Sequence, residues 1–292
     1  MTDTSITASD LVTALYRAIL RREPDGGGLL AHTSNIENDP SASSVENLIR
    51  GFLCSDELLM SHFTHANSGA FMPRTPPPIS LGSHCYTSYL LKKLSLKTSS
   101  MPFDWIFSNI PMVSHCISDK FDKFLDQKYY KPIAVADRMH AHANLCDHSY
   151  YKENYGVSYL FNHRDPTLVE DFEYYKRCVD RFNCIFQDKS NPPLFVVTFR
   201  HSDNQLQEFS KLVSTIRNER SDSKIIGFAI DQPNSLPASE KIQLCSQGIY
   251  LSIIKPLSDW LDVRFADPLD DFFLTSRLGS AFESTYGHKV GV

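Results

Sequence analysis

The regular alternation of strand-like and helix-like segments after Pro193 constrains the fold more than any other feature of the sequence. Apolar runs of strand length alternate with amphipathic segments of helix length, a pattern typical of βαβ units with parallel strands. We therefore predict an α/β fold, a three-layer sandwich with a mostly parallel sheet. The predicted strands are 194–199, 224–230 and 249–254, and the predicted helices between them are 204–218 and 238–246.

The first 65 residues have no strand pattern and predict a small all-α module. Apolar residues recur at helical spacing in three segments, which are 8–21, 28–37 and 44–64. The next stretch, ANSGAFMPRTPPP, is rich in proline and small residues and predicts a linker. We therefore divide the chain into a helical module at 1–65, a linker at 66–78 and a catalytic α/β domain at 79–292.

The composition narrows the range of partners and compartments. With 29 basic and 34 acidic residues the net charge is −5, so the basic excess needed to bind a nucleic acid backbone is absent. No apolar run approaches the ~20 residues that span a bilayer, and the N-terminal segment does not have the pattern of a secretion signal. The seven cysteines form no CxxC pair and favour reduced thiols. We predict a cytoplasmic protein with no nucleic acid partner and no integral-membrane segment, of unknown oligomeric state.

The segment Gly82-Ser83-His84-Cys85 lies between a predicted strand and a predicted helix, which are 79–83 and 86–94. A thiol or hydroxyl at the start of a helix is close to unpaired backbone N–H groups and to the positive end of the helix dipole. Both favour a thiolate and can stabilise an oxyanion, so Cys85 or Ser83 is a candidate nucleophile. The alternative is structural, with Cys85 as a buried apolar residue and Ser83 as a helix cap.

Two later segments carry further candidate groups. In MPFDWIFS, which begins at Met101, aromatic residues alternate as in a strand or a lining loop. Its acid, Asp104, can orient an imidazole or bind a substrate hydroxyl, or it only caps a turn. A predicted strand at 157–161 is followed by His163 and Asp165, which are candidates for a general base and its orienting acid.

In a parallel α/β sheet the functional crevice lies at the carboxyl ends of the strands. Arg200, His201 and Asp231 follow predicted strands and belong at this edge. Arg200 and His201, with Arg264 further along the chain, are candidates to bind an anionic group such as a phosphate. Alternatively, these residues are solvated loop charges.

Possible zinc ligands are dense in one stretch of the chain, where they are His140, His142, Cys146, Asp147 and His148. Their spacing matches no standard zinc site, and we predict no metal. The common dinucleotide, P-loop, zincin and α/β-hydrolase motifs do not occur in the sequence. We accordingly predict no cofactor.

The run ISLGSHC, which ends at Cys85, and the later run MPFDWI resemble a bacterial family of unknown function described as papain-like cysteine peptidases. The resemblance covers about residues 79–255. It implies Cys85 as the nucleophile, His163 as the base and Asp165 as the orienting acid.

Two further resemblances keep other functions open. The stretch LYRAILRREPDGGGL, followed by LIRGFLCSDEL, resembles a small helical domain found beside bacterial glycosyltransferases. That resemblance implies a scaffold in polysaccharide biosynthesis. The Gly82-Ser83 pair is also similar to the nucleophile block of SGNH-type esterases and acyltransferases, which implies attack by Ser83 and a C-terminal histidine such as His288.

The sequence thus predicts a cysteine-nucleophile hydrolase, a papain-like peptidase by resemblance, or an acyl-group transferase acting on a small-molecule, peptide or glycan substrate. The alternatives are an SGNH-like enzyme, a nucleotide-sugar-dependent glycosyltransferase and a non-catalytic binding module. The predicted catalytic residues are Cys85, His163, Asp165 and Ser83, and the predicted substrate-binding residues are Gly82, His84, Asp104, Trp105, Arg200 and His201.

Overall fold

A computed structural model describes residues 6–55, 57–58, 77–138, 140–246, 248–261 and 263–286 of the chain. The strands are β1 (Ile79–Ser80), β2 (Tyr130–Pro132), β3 (Cys146–His148), β4 (Leu194–Arg200), β5 (Lys224–Ile230), β6 (Ser239–Ser246), β7 (Ile249–Lys255), β8 (Trp260–Leu261) and β9 (Arg264–Phe265). The helices are α1 (Ala8–Leu15), which continues as a π-helix (Tyr16–Leu20), α2 (Gly26–Asn38), α3 (Ala42–Leu53), α4 (Cys85–Lys93), α5 (Ile110–Ser118), α6 (Ser149–Tyr155), α7 (Val169–Gln187), α8 (Asp203–Glu219) and α9 (Pro268–Tyr286).

A five-stranded sheet in the order β1-β4-β5-β7-β6 forms the centre of the fold. The first four of these strands are parallel, with Ile79 paired to Phe195, and only β6 runs antiparallel to its neighbour. The central strands are continuous apolar runs that are buried on both faces, as is usual when helices cover both sides of a parallel sheet.

Helices cover the two faces of the sheet and create two cores. On one face, residues such as Phe195 and Val197 of β4 pack in a cluster with residues of α5, α7 and α8. On the other face, Val196 and residues of β5 and β7 pack with Leu90 of α4 and Leu274 of α9. This architecture confirms the predicted three-layer α/β sandwich with a mostly parallel sheet.

The chain before the sheet is helical, as predicted. Val12, Tyr16 and Phe52 form a small core between α1, the π-helix and α3. Helix α3 contacts the start of α9 through an ion pair in which Arg50 Nη1 lies 2.6 Å from Asp267 Oδ2. The predicted domain boundaries stay predictions, and most of the predicted linker, together with the last part of the predicted helix at 44–64, lies outside the described residues. Among the helices that the structure describes, none is long and apolar enough to cross a membrane.

The predicted helix at 238–246 is wrong, because these residues form the antiparallel edge strand β6. The chain makes a tight turn into β7 at Gly248, which has a φ of +80°. Glycine adopts this φ without strain. Strand β6 then pairs along β7, for example Ile242 with Ser252. The turn that Gly248 permits therefore outweighs the helical spacing on which the prediction rests.

Two smaller predictions also differ from the structure. Instead of a strand at 157–161, a single bridge joins Phe161 to Cys146, since Tyr159 has a φ of +57° that no strand continues. The segment from Met101 to Ser108 consists of turns rather than a strand. Phe103 and Ile106 are buried there, so the alternation of aromatic residues does not mark two faces of a strand.

Candidate active site

A sharp turn between β1 and α4 presents Cys85 at the start of a helix. Gly82 has a φ of +80°, and a Cβ at this position would clash with the Ser108 hydroxyl, so the turn requires glycine. Cys85 is the first residue of α4, and His84 caps the helix by accepting a hydrogen bond from Tyr86 N through its Nδ1 at 3.3 Å. The thiol therefore lies at the N-terminal end of the helix, where the helix dipole favours a negative charge.

Hydrogen bonds below this turn hold it to β4. The Ser83 hydroxyl donates to the carbonyl oxygen of Thr198 at 2.9 Å. Thr87 Oγ1 lies 3.2 Å from the Gly82 carbonyl oxygen and 2.7 Å from Thr198 Oγ1. The hydroxyl of Ser83, the second candidate nucleophile, is thus used in a bond that fixes the turn.

Cys85 and His163, which are 78 residues apart in sequence, lie next to each other in the structure. The distance from Cys85 Sγ to His163 Nε2 is 3.8 Å. The cysteine is only 6% exposed, whereas the histidine is on the surface beside it. A thiol this close to an imidazole can transfer its proton to the ring nitrogen, which is what a cysteine nucleophile requires.

His163 is held by the segment that precedes it. Phe161 exchanges backbone hydrogen bonds with Cys146, with Phe161 N donating at 3.0 Å and Cys146 N donating at 3.2 Å. Phe161 is fully buried in the core of α7 and the neighbouring loops. The histidine therefore projects from an anchored segment rather than from an unsupported loop.

The turn that contains PFDWI makes hydrogen bonds to the segment of His163 and to the turn of Cys85. Phe107 N donates to the Leu160 carbonyl oxygen at 3.0 Å, and Ser108 N donates to the Ser83 carbonyl oxygen at 2.8 Å. Two consecutive peptide groups thus bind the segment of His163 and the turn of Cys85. The run that contains PFDWI therefore holds the turn of Cys85 and the segment of His163 close to each other.

Asp104 lies in the interior of this turn. Its carboxylate is fully buried, pairs with the Lys97 ammonium and accepts a hydrogen bond from Met101 N. Burial raises the pKa of the Asp104 carboxyl, and the charge of Lys97 opposes that rise. These contacts support the turn, and the predicted role of Asp104 towards an imidazole or a substrate hydroxyl stays a prediction.

Asn162 lies in the site, although no sequence motif assigns it a role. Its Oδ1 accepts a hydrogen bond from Asn144 N at 2.8 Å, so its amide nitrogen must point the other way. That nitrogen lies 3.1 Å from His163 Nε2. An amide N–H donates only to an unprotonated ring nitrogen, so Nε2 carries the lone pair and the ring proton is on Nδ1.

Although His163 is at the surface, its partial desolvation lowers its pKa below the usual value of 6.5. The neutral imidazole is therefore favoured at pH 7, and its Nε2 lies within reach of both the Asn162 amide and the Cys85 thiol, so that its one lone pair can accept from either group. This arrangement has a general base in the correct protonation state next to a nucleophile.

Asp165, the predicted orienting acid, has other partners. Its carboxylate accepts hydrogen bonds from Thr167 N at 3.0 Å and from the Thr167 hydroxyl at 2.7 Å. Burial is the main cause that raises the pKa of the Cys146 thiol to about 12, and the charge of Asp165 adds to this rise. The Asp165 carboxylate therefore lies close to Cys146. Among the hydrogen bonds of the described residues, none joins Asp165 to His163.

A cavity of about 460 Å³ opens beside the base and is large enough for a small ligand. It is lined by Ser100, Trp105, His163, Arg164, Tyr174 and Tyr175. Arg164 lies 4.0 Å above the Tyr174 ring. Another cavity, of about 520 Å³, lies in the helical module and is lined by neither Cys85 nor His163. We therefore place the site at the cavity of about 460 Å³, which His163 lines.

The remaining predicted site residues lie at or near the carboxyl edge of the sheet, where Arg200 ends β4. The ring of His84 is 4.5 Å from that of Trp260, and the Arg200 guanidinium is 5.5 Å from the same ring. His201 Nδ1 lies 3.4 Å from Asp231 Oδ1. Arg264 lies in β9, and His288 is outside the described residues.

The possible zinc ligands are arranged for structural contacts. Asp147 pairs with Lys152 at 2.6 Å, and the buried His148 ring donates from Nε2 to the Lys123 carbonyl oxygen at 2.9 Å. In the described part of the chain, no group of three or more histidine, cysteine, aspartate or glutamate side chains is placed to hold a metal ion.

His148 makes folding sensitive to acid. Burial lowers its pKa in the folded protein from 6.5 to about 4, so the neutral ring stabilises the fold fully above pH 6.5, and this stabilisation is lost between pH 6.5 and 4. We expect roughly 3 kcal/mol to be lost across this window, and His148→Gln to remove the loss. Urea unfolding at several pH values measures it, with His142→Gln at an exposed histidine as the control. Equal pH dependence in His148→Gln and the parent protein would contradict the assignment.

Comparisons with known proteins place this geometry in context. Residues 78–231, just over half of the chain, match the model of a family described as “Putative papain-like cysteine peptidase (DUF1796)”. “Uncharacterized protein R408” of Acanthamoeba polyphaga mimivirus is 26% identical over 168 residues, which cover 52% of this chain and 75% of the relative. No solved structure matches the chain significantly. Since this relative is viral, a bacterial source, which the resemblances to bacterial proteins imply, and the role in polysaccharide biosynthesis gain no support from it.

Proposed function

The chain belongs to the DUF1796 family, and we propose that it is a hydrolase in which Cys85 attacks an acyl carbon and His163 acts as the general base. One observation carries this proposal, namely the 3.8 Å separation of Cys85 Sγ and His163 Nε2 at the N-terminus of α4. The description of the family, the anchored segment of His163 and the cavity beside it support the same conclusion.

In the proposed reaction, His163 Nε2 takes the thiol proton as sulfur forms a bond to the acyl carbon of an amide or ester. The N–H groups of the turn at Ser83 and Cys85 donate to the oxyanion. The tetrahedral intermediate then collapses, the leaving group departs with the proton held by His163, and an acyl-thioester remains on Cys85. Water, deprotonated by His163, hydrolyses this thioester and restores the thiol.

Trapping of the acyl-enzyme tests the proposal. We would incubate the protein with a panel of peptide esters and thioesters, measure product release, and search for an acyl adduct by mass spectrometry of the quenched protein. The adduct and the hydrolysis are expected on Cys85 and are expected to vanish in Cys85→Ala. Hydrolysis that continues unchanged in Cys85→Ala would rule out the cysteine mechanism.

Ser83→Ala is expected to keep hydrolysis within about threefold of the parent protein, because the hydroxyl donates to the Thr198 carbonyl oxygen instead of facing a base. Loss of that one bond should cost about 1 kcal/mol of stability. The comparison of hydrolysis rates with urea unfolding checks both expectations. If Ser83→Ala removed hydrolysis while Cys85→Ala did not, the serine-nucleophile hypothesis would replace ours.

Asn162 is proposed as a positioning residue for the base. Asn162→Ala removes the N–H that contacts His163 Nε2, and we expect about tenfold slower acylation, which corresponds to one hydrogen bond. In Asn162→Asp the new carboxylate instead favours the protonated imidazole, so the acid limb of the rate profile should move to higher pH. A purely structural role for Asn162 predicts no change in the pH profile of either variant, and rates measured from pH 5 to 9 separate the two cases.

The hypotheses of a nucleotide-sugar-dependent transferase and of an SGNH-like esterase have no contact in the described residues that favours them, and we do not propose them. A non-catalytic binding module is the outcome if no electrophile reacts with Cys85.

A further inference from the structure

We propose that Arg200 forms a carboxylate-binding subsite next to Cys85, so that the substrate carries a carboxylate close to its reacting acyl group. This inference rests on the proposed function and adds the chemical class of the substrate. It starts from the position of Arg200 as the last residue of β4, at the carboxyl edge of the sheet, on the strand that pairs with β1 before the Cys85 turn.

The guanidinium is held in place by an aromatic platform. Its central carbon lies 5.5 Å from the centroid of the Trp260 ring, and Arg200 Nη2 is 3.5 Å from the Trp260 carbonyl oxygen. Trp260 itself is 5% exposed and packs against Tyr86 and Phe265 with ring centroids 5.5 and 6.3 Å away. A cation over a buried indole keeps its N–H groups available at the edges of the guanidinium.

The same platform connects Arg200 to the nucleophile. The ring of His84, the residue directly before Cys85, lies 4.5 Å from the Trp260 ring. Through the contacts His84–Trp260 and Trp260–Arg200, the guanidinium is two side chains from the turn that presents the thiol. The cation is therefore linked to the Cys85 turn by two successive side-chain contacts.

The charge of Arg200 is not neutralised by the protein. Among the described residues, no carboxylate lies within ion-pair distance of Arg200, and its side chain is exposed. The acid at the end of the neighbouring strand, Asp231, lies 3.4 Å from His201 and 3.8 Å from Lys255 and is already shared by these two groups. Several other arginines have acidic partners, as in the pairs Arg17–Glu23, Arg22–Glu57, Arg50–Asp267, Arg164–Asp171, Arg220–Asp222 and Arg277–Glu240.

A single guanidinium on a flat platform matches a carboxylate, which it can bind through two parallel N–H···O bonds. An acidic residue next to the scissile bond of a peptide, or the carboxylate of an acyl amino acid, has this chemistry. The subsite would raise the local concentration of such substrates and orient them towards Sγ.

Matched electrophiles test the subsite without knowledge of the natural substrate. Chloroacetyl-glycine carries a carboxylate, and chloroacetyl-glycinamide is its neutral counterpart. With either reagent, Cys85 sulfur forms a bond to the methylene carbon, the C–Cl bond breaks, chloride leaves with the bonding electrons, and the thiol proton passes to His163. Mass spectrometry gives the rate of modification at Cys85 for each reagent.

We expect the ratio of the anionic to the neutral rate to fall about tenfold in Arg200→Gln. Arg21→Gln, at an exposed arginine of the helical module, makes the same change in net charge and should leave the ratio unaltered. Arg200→Lys retains the charge and should keep part of the preference, which separates loss of charge from loss of folding.

The outcomes distinguish this proposal from the proposed function. If both reagents modify Cys85 in a His163-dependent way and the ratio is the same in Arg200→Gln as in the parent protein, the carboxylate subsite is wrong and the cysteine mechanism stands. An equal fall of the ratio in Arg21→Gln assigns the effect to net charge and also overturns the subsite. If Cys85 reacts with neither reagent, both proposals fail.

Discussion

His163→Ala is expected to slow acylation of Cys85 by about 10²- to 10⁴-fold, the range that a positioned general base contributes. The reason is geometric, because the imidazole Nε2 is 3.8 Å from the thiol and its neutral form is favoured by burial. Acylation by the best ester or thioester from the panel, followed by mass spectrometry, gives the rate in each variant.

Asp165→Ala is the matched control for this experiment. The sequence predicts Asp165 as the acid that orients the histidine, but its carboxylate binds Thr167. We therefore expect less than a threefold change in acylation, since the contacts that are lost are with Thr167 and Cys146 rather than with His163. A loss in Asp165→Ala as large as that in His163→Ala would show that the acid acts through the base after all.

Asp104→Ala is expected to destabilise the protein by about 3–5 kcal/mol, because it leaves the ammonium of Lys97 buried without a counter-charge. Most domains have a free energy of unfolding of about 5–15 kcal/mol, so this loss is a large fraction of the total. Acylation of Cys85 should also slow, since the turn that Asp104 stabilises holds the peptide groups of Phe107 and Ser108.

A double variant separates the buried charge from the lost packing. Lys97→Met combined with Asp104→Leu removes both charges, and we expect it to recover most of the stability lost in Asp104→Ala. Urea unfolding measures the free energies. If Asp104→Ala cost less than about 1 kcal/mol, the ion pair would not be the structural support that we describe.

The α/β architecture could be predicted from the sequence because strands buried on both faces form continuous apolar runs. Leu194–Arg200 and Lys224–Ile230 are such runs, and the helix between them has a clear apolar stripe. The strand Ser239–Ser246 is harder to predict because it lies at the edge of the sheet and pairs on one side only. Some of its apolar residues, such as Ile242, are exposed, so its sequence does not form a continuous buried run.

The site was partly predictable for a different reason. Cys85 follows a glycine turn and starts a helix, which the local sequence indicates, whereas its proximity to His163 depends on contacts between distant segments. The resemblance to a family suggested that pair, and the structure brings the two side chains together. Asn162 and Trp260 carried no local signal, since an amide or an indole becomes part of a site only through its three-dimensional neighbours.

The measurement that tests the central proposal most directly is the alkylation rate of Cys85 as a function of pH, measured by mass spectrometry with iodoacetamide. The other cysteines serve as internal controls, above all the exposed Cys184. We expect Cys85 to react faster than Cys184 at pH 7 despite its burial, with a fall in rate only below pH 6.5, because burial lowers the pKa of His163. In His163→Ala the advantage should disappear. A Cys85 that reacts more slowly than Cys184 at every pH, and that does not respond to the loss of His163, would contradict the proposed mechanism.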